Sequence, residues 1–127
     1  MAAIPVGARI ICFFFVVDAI YRKKVDLPVV FDWEDFGDYN SYNLSFYGLT
    51  NMASDFLEVV EDAGYTGMMY GSKNYLEKIW LDYPYDTWLA HYVDHTSYSG
   101  DYKVWQMCND GIIDGINGSV DINIMYE

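Results

Sequence analysis

Short apolar runs alternate along the chain with stretches that repeat at helical spacing. Six runs read as strands, at roughly 4–17, 28–34, 65–71, 87–93, 102–108 and 120–126. Two stretches between them read as helices. In TNMASDFLEVVEDAGY, Met52, Phe56, Val59, Val60 and Ala63 form one stripe, with Thr50 as the expected cap and Gly64 as the terminator. In SKNYLEKIW, Ser72 is the expected cap and Tyr75, Leu76, Ile79 and Trp80 form the stripe. Strand, helix, strand, helix, strand is the order of an α/β protein with a parallel sheet. The last three runs are joined by DHTSYSGD and NDGIIDGINGS, turn-rich and too short for crossover helices. Strict alternation is therefore expected to fail toward the C-terminal end.

The run PVVFDWEDF ends in three acids within four residues. A strand sends successive side chains to opposite faces, so Val30, Asp32 and Glu34 are expected on one face and Val29, Phe31 and Trp33 on the other. Other strands divide in the same way. Asp121 and Asn123 oppose Val120, Ile122 and Ile124; Trp88, Ala90 and Tyr92 oppose Thr87, Leu89 and His91; KVWQM adds Trp105 and Gln106. Laid side by side, these strands would gather acids and rings into one cleft at their carboxyl ends. Two carboxylates between aromatic walls suit glycoside hydrolysis, in which one acid protonates the leaving oxygen and the other supports or attacks the developing positive charge. Taken alone, D-x-E is more often the solvated end of an ordinary strand.

Composition narrows the classes. The 127 residues suit one domain, and 53% hydrophobic with 20% charged residues is a globular composition. Thirteen Tyr, seven Phe and four Trp are an excess that fits sugar stacking or a wet interface, although most are expected to fill the core. The net charge of −12 sets nucleic acid and anionic lipid aside as partners. The charge is uneven, because residues 1–31 hold four basic side chains against Asp18 and Asp26, while the remainder is strongly acidic. The run IICFFFVV (10–17) is far shorter than the roughly 20 residues of a membrane span and no cleavage site follows it, so it reads as a strand and no membrane insertion is expected. Cys12 and Cys108 have no metal-binding spacing and read as buried free thiols. His91 and His95 straddle a strand end, so His91 reads as a packed histidine and no metal site is expected.

LPVVFDWEDF, GYTGMMYGSKNYL, WLAHY, YKVWQ and DGINGSVDINI stand in the order in which family 25 glycoside hydrolases carry such segments. Over residues 27–127 the chain resembles these bacterial and phage muramidases, the Chalaropsis-type lysozymes. The resemblance implies a modified, TIM-like β/α barrel whose last strands lack helices. It implies cleavage of the β-1,4 bond between N-acetylmuramic acid and N-acetylglucosamine in the peptidoglycan glycan strand, without metal or cofactor, at an extracellular or cell-wall location. By the same resemblance Glu34 matches the general acid, Asp32 its partner acid and Asp121 the acid of the final-strand V-D-[LI]-N motif. Tyr70, Trp88, Tyr92, Trp105 and Gln106 match positions lining the sugar groove.

The departures are specific. Nothing before Asp32 matches the family's aspartate-bearing first strand, since Asp18 follows FFFVV. DAIYRKKVDL leaves about ten residues for a crossover that normally takes a dozen or more, and six strands fall short of eight. The expectation is one truncated domain over 1–127, with an atypical start at 1–26: an incomplete α/β barrel lacking its first strands. Two open sheet edges would then favour self-association. Three other readings remain open at this level: a chitinase-like hydrolase that uses the substrate's acetamido group, a glycan-binding module, and an inactive fragment.

Overall fold

Five of the apolar runs form strands, and they pair in the order in which the chain makes them. A computed structural model describes residues 15–34 and 44–127. Its elements are β1 (Val29–Asp32), α1 (Phe46–Asp62), β2 (Gly67–Ser72), α2 (Lys73–Lys78), β3 (Asp86–Ala90), β4 (Val104–Gly111) and β5 (Val120–Met125). The sheet order is β1-β2-β3-β4-β5. β1 to β4 are mutually parallel, and β5 returns antiparallel to β4 with two register shifts. Alternation fails where the loops predicted it would, because β3 passes to β4 without a helix and β4 to β5 by a reversal. Strands added always on the same side, with crossovers of one hand, keep their helices on one face of the sheet. The opposite face stays clear of them, and that is where a site can form.

The register fixes which side chains share each face. Asp32, Tyr70, Trp88, Val104 and Met125 lie in one row across the sheet, and Ser72, Ala90, Gln106 and Asn123 in the next row on the same face. Phe31, Met69, Leu89 and Trp105 point the other way. There Met69, Leu89 and Trp105 join Leu49 and Ala53 of α1, Leu76 of α2, and Trp80 in one buried cluster, with Phe31 packed against it. Gly71 leaves room on that face, since an added Cβ would sit 3.1 Å from Leu76 Cδ2. A second cluster joins Phe56, Leu57 and Val60 of α1 to Val29 and Phe31 of β1.

The expected helices are present, with one cap corrected. α1 begins four residues before Thr50. Ser45 is its cap, with Oγ accepting from Gly48 N at 3.0 Å. Thr50 is buried inside the helix instead, where its hydroxyl donates to Phe46 O (2.9 Å) and accepts from Leu81 N (3.1 Å). It ties α1 to the segment after α2, a long-range use that spacing alone does not reveal. Gly64, at φ 88°, supplies the left-handed turn that ends the helix. Ser72 caps α2 as expected, accepting from Tyr75 N at 3.3 Å.

The first run is a correction. Residues 15–20 are helical rather than extended, and the rest of that run, with Cys12, lies outside the described residues. Tertiary contacts decide against the strand that β-branched and aromatic composition favours. Val16 packs on the Phe56–Leu57–Val60 cluster, and Tyr65 donates its hydroxyl to Ile20 O at 2.9 Å. Among the described residues no helix is long and apolar enough to cross a membrane.

Candidate active site

The acids of the D-x-E run do not both belong to the strand. β1 stops at Asp32, and Trp33 and Glu34 continue past its carboxyl end. Glu34 nonetheless stays beside the site face. Its carboxyl interacts with Asp32, with the Tyr70 hydroxyl of β2 and with Asp121 of β5. Strands β1, β2 and β5 thus bring three acids and a phenol together across the width of the sheet. All three acids keep exposed surface. Among the described residues the ion pairs are Lys24–Asp26 and Lys73–Glu77, so no lysine or arginine there neutralises the site acids.

Two amide side chains organise the rest. Gln106, buried at 5% exposure, accepts at Oε1 from both the Tyr70 and the Tyr92 hydroxyls, each at 2.8 Å. Asn123 accepts at Oδ1 from Trp88 Nε1 at 2.9 Å, and the Trp88 ring meets Tyr70 edge-on with centroids 5.6 Å apart. Tyr92 lies two residues beyond β3, yet the shared Gln106 oxygen holds it to the same face. Tyr70 and Gln106, both buried, set one another's orientation, because breaking their bond leaves a partner unsatisfied away from water.

Charge and burial separate the two D-x-E acids. Partial loss of hydration raises Asp32 above the ordinary aspartate value. Glu34 is raised by the same desolvation, then by the Asp32 charge and more weakly by Asp121, while the Tyr70 hydrogen bond opposes them. Glu34 thus has more groups disfavouring its charge than Asp32 has. Tyr70 is pushed far up, by burial first and then by Glu34 and Tyr92, so its hydroxyl remains a hydrogen-bond donor. The arrangement offers a proton donor, an adjacent carboxylate, a third acid across the sheet, and ring edges able to hold an uncharged polar ligand.

Of the residues singled out in the sequence, Asp32, Glu34, Tyr70, Trp88, Tyr92, Gln106 and Asp121 come together. Trp105 does not. It follows Val104 and precedes Gln106 on one strand, so Gln106 facing the site sends Trp105 into the core beneath α1. There its Nε1 donates to His91 O at 2.9 Å. Asn123 is the residue that the sequence reading placed on the right face without giving it a role; its i, i+2 relation to Asp121 was the available signal. His91 packs as expected, with Nδ1 2.8 Å from Thr96 Oγ1. Cys108 is free but only half-buried. Among the described residues no group of three or more His, Cys, Asp or Glu is placed to hold a metal ion.

Comparison with known proteins gives a family. The profile of the Glycosyl hydrolases family 25 matches residues 11–116. The uncharacterized protein YegX of Escherichia coli O157:H7 is 33% identical over 130 residues, covering 96% of this chain and 43% of YegX. The chain therefore spans less than half the length of the curated relatives it matches. Among solved structures, the CTP1L endolysin superposes with a TM-score of 0.72 at 20% identity, over 100% of this chain and 45% of that one. A family 25 glycosyl hydrolase from Bacillus anthracis gives 0.69 at 22% identity, over 91% of this chain and 58% of that one. At such identities the likeness concerns the fold, a mixed five-stranded sheet curled as half of a barrel.

Proposed function

Because the chain belongs to glycosyl hydrolase family 25, we propose that it carries the acid-catalytic side of a peptidoglycan-cleaving muramidase acting at the cell wall. The sheet would be the later part of a modified TIM-like β/α barrel, and residues 1–127 one truncated domain of it. The observation that supports this reading is the meeting of Glu34, Asp32, Tyr70 and Asp121 at one end of the sheet. In the proposed reaction Glu34 protonates the glycosidic oxygen between N-acetylmuramic acid and N-acetylglucosamine. Asp32 orients the acetamido group or supports the positive charge that grows on the sugar ring, and Asp121 adds a carboxylate from across the sheet. Trp88, Tyr70 and Tyr92 hold the sugars by ring contact and hydrogen bonding, with Gln106 behind them fixing the two tyrosines.

Glu34→Gln tests the reading. Release of reducing ends from purified peptidoglycan should fall by about 10²–10⁴-fold, the usual worth of a general acid, with urea denaturation still cooperative. Wild-type release in that variant removes Glu34 from the reaction. Chitin offered beside peptidoglycan separates the muramidase from a chitinase-like hydrolase, which would release ends from chitin.

A second reading draws on the chain covering less than half of its curated relatives: an inactive or glycan-binding portion of a longer hydrolase. Sedimentation with cell walls without release of reducing ends favours it. Among the described residues β1 and β5 are edge strands, which supports self-association of this chain alone. Light scattering should give a mass above that of the 14.7 kDa monomer, and a monomer at every concentration would reject that expectation.

A further inference from the structure

The Tyr70 hydroxyl has one proton and three acceptors within reach, Gln106 Oε1, the Glu34 carboxyl and the Tyr92 hydroxyl. It donates to Gln106 Oε1 at 2.8 Å and also hydrogen-bonds the Glu34 carboxyl. Left free, a phenol donates by preference to a carboxylate, because a charge-assisted bond is roughly twice as strong as a neutral one. Such a bond would favour ionised Glu34 and strip it of the proton that an acid catalyst must give. Gln106 is placed to compete for that hydroxyl. It is buried, it stands on the neighbouring rows of the same face, and a second bond from Tyr92, also 2.8 Å, pins its oxygen.

We propose that Gln106 is a positioning residue, whose amide oxygen competes for the Tyr70 hydroxyl proton and so weakens the Tyr70 hydrogen bond to Glu34, leaving Glu34 the proton it donates. The inference rests on the reading of Glu34 as the acid. The titratable groups facing these side chains are Asp32 on β1, Tyr70 on β2, Tyr92 after β3, Cys108 on β4 and Asp121 on β5. Both carboxylates among them disfavour a charged Glu34, so Tyr70 is the contact through which Gln106 can move its titration. Tyr92 matters as the second anchor of the amide: without it, the Gln106 side chain could turn and release Tyr70.

The test needs no catalytic turnover. The side-chain carboxyl ¹³C shift of Glu34 is followed against pH in the full chain. Gln106→Met, similar in shape but without a strong acceptor, should lower the Glu34 midpoint by about one pH unit, the size of one hydrogen bond to a charged group. Tyr70→Phe should raise it, since the one opposing contact is gone. In the double variant the midpoint should stay where Tyr70→Phe leaves it. Should Gln106→Met lose its native spectrum, Gln106→Asn, one carbon too short to reach both hydroxyls, carries the same expectation.

An unmoved midpoint in the Gln106 variants, or an equal drop in the Tyr70→Phe background, overturns the proposal. If the midpoints move as stated while wild-type chain releases no sugar ends, the muramidase reading fails and the role of Gln106 stands. Where the chain is active, Gln106→Met should also move the alkaline limb of kcat/KM to lower pH.

Discussion

The two faces of the one sheet are built by opposite means. Beneath the helices, Met69, Leu89 and Trp105 pack on Leu49 and Ala53 with almost no exposure; burial of apolar surface holds that face together. On the other face Tyr70, Trp88, Gln106 and Asn123 are held by directed hydrogen bonds between side chains. Neighbouring residues on β4 belong to different faces, Trp105 to the core and Gln106 to the site. The difference teaches that an aromatic residue close to a catalytic motif is not evidence of a binding wall until its face is known.

The two tryptophans give the hardest test of that contrast. Trp105→Ala should cost about 3–5 kcal/mol of stability in urea denaturation, the usual penalty for emptying a core of a large ring. Trp88→Ala should cost about 1–3 kcal/mol, for one hydrogen bond and one ring contact, and should weaken binding to glycan. Equal costs would mean that the two faces are not distinct in kind. An effect smaller than that at Trp105 is expected at Thr50, the polar tie within the apolar side. Thr50→Val leaves Leu81 N without its acceptor and should lose about 1–3 kcal/mol, while Thr50→Ser should retain most of it. No difference between Val and Ser would show that the bond contributes nothing.

The smallest effect belongs to the acids, and its sign opposes the others. A carboxyl whose folded pKa lies above its unfolded value binds its proton better in the native state. The stability it contributes is complete below the unfolded pKa and is lost as pH rises through the folded one. Asp32 and Glu34 both have folded values above their ordinary 3.8 and 4.5. Asp32→Asn and Glu34→Gln should therefore be more stable than wild type at neutral pH, by less than any core substitution changes it, with the gain vanishing in acid below about pH 4. Thermal melts at pH 3 and pH 7 would show it. A loss of stability at pH 7 in both variants would mean that these carboxylates hold the fold together instead of straining it.

What the sequence by itself determined is the set of local decisions. Period-two alternation placed Asp32 with Val30 and Asp121 with Asn123, helical spacing located both helices, and short turn-rich loops foretold that strict alternation would fail toward the C-terminal end. These follow from backbone geometry, which acts over a few residues. The tertiary structure decided what required distant partners. Residues 15–20 became helical against the α1 cluster, Thr50 became a tie to Leu81 instead of a cap, and Glu34, beyond the end of β1, was brought beside Tyr70 and Asp121. Trp105 lies between the two kinds: alternation alone separated it from Gln106, but only the docked helices said which face was the core. Register sets relative sides along a strand, and packing alone assigns those sides to core or solvent.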